Sequence, residues 1–98
     1  MLYALICTDN PGALPVRMAN RPAHLDYIKS LGDRVVLAGP FTADDGITLN
    51  GSLIVIEAPS LEAARAIAAG DPYAKAGVFA DVQVRPWLWT INPPDEEE

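Results

Sequence analysis

The chain has 98 residues, half hydrophobic and a fifth charged, a balance that describes one globular domain and excludes a disordered polymer or an enzyme with separate cofactor and substrate lobes. Seven basic residues against thirteen acidic ones give a net charge of −6, but Asp95, Glu96, Glu97 and Glu98 supply most of it, and residues 1–94 carry only −2. The basic residues are scattered from Arg17 to Arg85 rather than clustered, which argues against a nucleic-acid partner.

Leu2 to Cys7 is a continuous apolar run of strand length. Cys7, the lone cysteine, excludes an intramolecular disulfide and reads as a small buried hydrophobe. The run is too short, and lacks the basic flank, for a signal peptide; no segment approaches the roughly 20 apolar residues of a membrane helix. The expected location is therefore cytoplasmic, with no membrane partner. Asp9-Asn10-Pro11-Gly12 breaks the strand, and a loop is expected to run through Pro15. A first helix is expected to begin around Asn20 to Pro22, with Asn20 as cap and Pro22 in the first turn, and to end at Gly32.

Residues 33–41, containing Val35-Val36-Leu37-Ala38, predict a second strand closed by Gly39-Pro40. Thr42 to Asn50, with Asp44-Asp45-Gly46, reads as a hairpin loop. Its two aspartates are taken as solvated, since no calcium-loop spacing follows. Ser52 to Glu57 predicts a third strand. Ser60 caps a second, Ala-rich helix over Leu61 to Ala69, stopped by Gly70. Residues 71–77 form a turn or helical stub. Val78 to Ile91 predicts a long fourth strand whose alternation changes at Pro86, placing that proline on an edge or at a bulge. The domain is expected to span residues 1–92, and residues 93–98 to be a disordered acidic tail.

The order β-α-β-β-α-β is the ferredoxin-like α+β pattern, with an antiparallel four-stranded sheet. Two crossover helices cover one face only, yet the first three strands are apolar at consecutive positions. The second face then needs a cover, and a second copy packed sheet to sheet would make a dimeric α+β barrel.

His24 is the only histidine. At about 100° per residue, Leu31 and Ile28 fall within about 40° of it, so it lies inside the apolar arc of its helix. A core histidine bonded to a carbonyl and a general acid/base in a pocket are both open readings. Asp71 either caps the stub that Pro72 begins or partners His24. Arg21 shares the His24 side of the helix. Gly39-Pro40 and Gly51-Ser52 offer places for a ligand to approach the backbone. No GxGxxG, P-loop, CxxC or HxxxH pattern is present, so no cofactor and no metal are expected.

Five segments in order carry a resemblance: Arg21-Pro22-Ala23-His24-Leu25-Asp26-Tyr27, Leu37-Ala38-Gly39-Pro40-Phe41, Gly51-Ser52-Leu53-Ile54-Val55, Asp71-Pro72-Tyr73 through Gly77-Val78, and Val84-Arg85-Pro86-Trp87. The chain resembles the YciI-like (YCII-related) family over about residues 1–91. The resemblance implies a dimeric α+β barrel and a site built on a His–Asp pair, which by motif is His24 and Asp71. One branch of that family removes chloride from a chlorinated hydroxyquinone without a redox cofactor. The wider superfamily includes muconolactone isomerases and cofactor-free monooxygenases. The implied function is a cofactor-independent lyase or isomerase acting on a small cyclic or aromatic-derived substrate. In that reading Arg21 holds an anionic oxygen, and Ser52 and Tyr73 hydrogen-bond the substrate. The rival is a non-catalytic small-molecule-binding or assembly module of the same fold.

Overall fold

A computed structural model describes residues 1–94. The expected tail reaches into residues 95–98, which lie outside the described residues. Four strands, β1 (Leu2–Asp9), β2 (Val35–Thr42), β3 (Leu49–Glu57) and β4 (Phe79–Trp87), form one antiparallel sheet in the order β2-β3-β1-β4. Helices α1 (Leu14–Leu31) and α2 (Leu61–Ala69) make the two crossovers, and a one-turn helix α3 (Pro72–Lys75) precedes β4. This is the expected β-α-β-β-α-β ferredoxin-like topology. Among the described residues no helix is long and apolar enough to cross a membrane.

The register sorts the sheet into two faces. Tyr3, Leu5 and Cys7 pair with Ile56, Ile54 and Ser52 and point to the helices. With Ala58, Ala64 and Ala68 the first three, Ile54 and Ile56 form the core. Small alanines along α2 let that helix pack closely on the sheet. The opposite face carries Leu2, Ala4 and Ile6 beside Val55 and Leu53, flanked by Leu37, Phe41 and Trp87. That face is apolar across β2, β3 and β1, and turns polar along β4 at Asp81, Gln83 and Arg85.

Three sequence expectations need correction. First, α1 begins at Leu14, two turns before Asn20, so Asn20 is not its cap and Pro22 lies inside it. The proline that occupies the first turn is Pro15, where a missing N–H costs nothing. Asn20 instead returns its side chain to the Val16 carbonyl at 2.9 Å. Second, β4 stops at Trp87 rather than Ile91. Its pairing with β1 runs unbroken through Tyr3↔Pro86, so Pro86 is an edge-strand proline; the irregularity falls opposite Thr8/Asp9 instead. Third, Gly51 is explained by packing: a Cβ there would sit 2.5 Å from the Cys7 carbonyl oxygen and 3.1 Å from the Phe41 ring.

Candidate active site

α2 ends at Gly70, and Asp71 is the N-cap of α3, its Oδ1 accepting from the Tyr73 N–H at 2.9 Å. The same carboxylate faces α1: His24 Nδ1 lies 2.9 Å from Oδ1 and 3.0 Å from Oδ2. The two readings of Asp71, cap and histidine partner, therefore coexist in one side chain. Asp71 is 2% exposed, and these bonds account for its burial. An ionised carboxylate can only accept, so the neutral imidazole carries its proton on Nδ1 and a lone pair on Nε2. No buried side-chain nitrogen or oxygen among the described residues lacks a partner. Nε2, which bonds no protein group there, is thus reached by solvent.

Two further contacts hold the imidazole. Its ring stacks on Tyr73, centroids 4.0 Å apart and planes 11° from parallel. One turn further along α1, Tyr27 donates its hydroxyl to the Ile67 carbonyl at 2.7 Å, tying α1 to the end of α2. Gly70 makes room for that phenol, since a Cβ there would lie 2.6 Å from the hydroxyl oxygen. The spacing between His24 and Asp71 is thus set by a second α1–α2 contact three residues away.

Arg17 is the residue that the sequence reading missed. It is 2% exposed, with Nε and Nη2 donating to Asp9 Oδ2 and Oδ1 at 2.8 and 2.9 Å, and Nη2 also donating to Ser52 Oγ at 2.9 Å. Its guanidinium carbon lies 4.5 Å from the Tyr73 ring centroid. Burial alone would lower the pKa of this group, but the hydrogen bonds and charge of Asp9 outweigh it and push it up. Burial likewise raises the Tyr73 phenol, with Arg17 and Arg21 pulling in the opposite direction, so Tyr73 stays neutral. The available signal was spacing: Arg17 stands seven residues before His24, on the same helical face once the helix is long enough.

A cavity of about 310 Å³ opens beside these groups. Arg17, Arg21, His24, Ser52 and Tyr73 supply its polar wall; Leu25, Ile28, Ala38, Pro40, Leu49 and Ile54 are among its apolar lining. Four of the five predicted site residues thus share one cavity. Asp71 stands behind His24 and reaches the cavity only through it. Gly39 and Pro40 belong to the lining; Gly51 does not. The volume fits a single-ring molecule. A larger groove of about 660 Å³ between α2 and β4, with Arg65, Gln83 and Arg85 on its walls, holds none of these groups. Asp45 accepts from Ile47 N, Thr48 N and Thr48 Oγ and closes the β2–β3 turn. Among the described residues no metal-binding cluster occurs.

A ferredoxin-like sheet with a His–Asp pair beside a small, mostly apolar cavity defines a class of small α+β proteins. The chain belongs to the YCII-related domain family, whose model matches residues 1–88. It is 40% identical over 94 residues to protein YciI of Escherichia coli, covering 89% of this chain and 96% of that protein. It is 36% identical over 76 residues to the derivative of benzaldehyde biosynthesis cluster protein C of Emericella nidulans, covering 69% of this chain and 78% of that protein. Among solved structures it resembles 5-chloro-2-hydroxyhydroquinone dehydrochlorinase of Burkholderia phenoliruptrix in complex with 2,5-dihydroxybenzoquinone. That similarity has TM-score 0.81 at 35% identity, over 90% of this chain and 94% of the other.

Proposed function

We propose that the chain is a cofactor-independent lyase or isomerase that moves a proton on a small enol- or quinol-type ring, with His24 as the proton carrier. The observation that carries this reading is the imidazole itself. Its Nδ1 is committed to buried Asp71, while Nε2 is open beside a 310 Å³ cavity. A base so placed takes a proton from an acidic O–H or C–H of the ring. In an isomerisation the imidazolium returns that proton to another ring atom. In an elimination the leaving group departs as an anion with its bonding pair, and the proton passes to solvent. Asp71 stabilises the imidazolium and fixes its orientation. Arg21 faces the same cavity as an exposed cation suited to an anionic ring oxygen. Ser52 and Tyr73 are the candidate hydrogen-bonding groups. The similarity to a dehydrochlorinase holding a dihydroxyquinone supports a ring substrate.

The apolar helix-free sheet face supports a homodimer in which a second copy covers Ile6, Leu53, Leu37 and Phe41. Light scattering tests this, and a monomer at micromolar concentration contradicts it. The catalytic assignment is tested by following enol, lactone and halogenated hydroquinone substrates with the wild type, His24→Ala and Asp71→Asn. Loss of turnover in both variants supports it; equal turnover in all three rejects it. Tight ring binding without turnover in the wild type would instead favour the binding-module reading.

A further inference from the structure

The Ser52 hydroxyl is constrained in a way that the proton transfer does not require. Ser52 is 3% exposed on β3 and forms part of the cavity wall. Arg17 reaches it with Nη2 at 2.9 Å while its Nε and Nη2 are held by both Asp9 oxygens at 2.8 and 2.9 Å. A guanidinium has donors only, so Ser52 Oγ must be the acceptor in that contact. The hydroxyl's own hydrogen cannot point to Arg17, and among the described residues no protein group accepts it. Both Asp9 oxygens accept from Arg17, and among the described residues neither accepts from Ser52.

We propose that the Asp9–Arg17 clamp orients the Ser52 hydroxyl as a hydrogen-bond donor into the cavity, so that the site selects ring ligands bearing an oxyanion, a phenolate or enolate oxygen, over their neutral ethers. The proposal rests on the cavity being the ring-substrate site and names the ionisation state it takes. Three observations converge on it. Arg17 holds one lone pair of Ser52 Oγ, the residue lines the cavity, and no protein group among the described residues takes its hydrogen. The Arg17 charge is balanced by Asp9, so Arg17 orients the hydroxyl without itself binding the ligand. Arg21, which makes no ion pair among the described residues, adds a free positive charge on the same wall. A hydroxyl donating to an anion forms a bond roughly twice as strong as one to a neutral oxygen, which is the source of the selection. Arg17 and Asp9 are positioning residues in this scheme, and Ser52 is the group that touches the ligand.

The test compares binding of two probes to the intact protein by titration calorimetry at neutral pH. The probes are 2,5-dihydroxybenzoquinone, which is ionised there, and 2,5-dimethoxybenzoquinone, the same ring without an ionisable hydroxyl. The wild type should prefer the anion, and Ser52→Ala should shrink that preference about tenfold while changing ether affinity little. Arg17→Lys keeps the charge but loses the fork, and should shrink the preference in the same direction. A purely structural Arg17 would instead weaken both probes equally. If Arg17→Lys does not fold, Ser52→Ala decides alone. A wild-type preference retained in Ser52→Ala, or equal loss for both probes, overturns the Ser52 assignment and leaves the cavity reading standing. Failure of the wild type to bind the dihydroxyquinone overturns both.

Discussion

Replacing Asp71 by Asn tests how the imidazole is set. Oδ1 accepts from Tyr73 N at 2.9 Å, so the cap holds the amide oxygen of Asn at that position. The amide nitrogen then falls where Oδ2 was, 3.0 Å from His24 Nδ1. It is a donor, so the Nδ1–H tautomer keeps only the amide oxygen at 2.9 Å as acceptor, while the Nε2–H tautomer gains a donor for its bare Nδ1. The Nε2–H fraction has no lone pair for the substrate, and the carboxylate charge that stabilised the imidazolium is gone; a general base contributes about 10²–10⁴-fold, which bounds the expected drop in turnover. Stability should change by only about 1 kcal/mol, since Asn caps nearly as well as Asp. The chain has one histidine, so ¹⁵N NMR of the ring reads the tautomer without assignment ambiguity. The wild type should show a protonated Nδ1 and a bare Nε2, and the variant a smaller excess of that tautomer, because the amide offers Nδ1 a donor as well as an acceptor. An unchanged tautomer ratio with unchanged turnover would show that Asp71 does not set the ring.

Gly70→Ala places a methyl 2.6 Å from the Tyr27 hydroxyl and should cost about 1–3 kcal/mol in urea denaturation, with lower turnover as α1 is pushed from α2. Asp9→Asn breaks a buried ion pair and should destabilise by about 3–5 kcal/mol; a change under 1 kcal/mol would show that Arg17 is not held as described. Burial, and secondarily Asp71, pushes the Cys7 thiol up to about 12 from its ordinary 9.0. The protonated thiol's contribution to stability is whole below pH 9.0 and is lost as pH rises through about 12, at up to about 1.4 kcal/mol per pH unit. Stability measured by denaturation from pH 9 upward should therefore fall less steeply in Cys7→Ala, and native Cys7 should resist thiol reagents at neutral pH.

Local chemistry made much of this site legible. Ser60 caps α2, accepting from Ala63 N at 3.0 Å, as its position before an Ala-rich run implies. Asp-Pro after Gly70 predicted a cap, and the arc of His24 with Ile28 and Leu31 predicted an inward ring. The start of α1 was not legible, because a proline inside a helix costs about 3 kcal/mol or more and favours reading Pro22 as a first-turn residue. Tertiary bonds from Arg17 to Asp9 and Ser52 favour two earlier turns that local preference does not demand. That misplaced start hid Arg17, and with it the buried clamp, because a charged residue in a loop carries no face. Pairing of β4 with β1 runs out at Leu2↔Trp87, near the start of β1, so the apolar pattern through Ile91 overstated β4.

In the proposed site His24 Nε2 faces a ring ligand while Nδ1 stays on Asp71. The most direct measurement is ¹⁵N NMR of the His24 ring during titration with 2,5-dihydroxybenzoquinone. A saturable shift at Nε2, with the Nδ1 proton retained, is the predicted result. Saturable binding that leaves both ring nitrogens unmoved would show that the imidazole does not face the ligand.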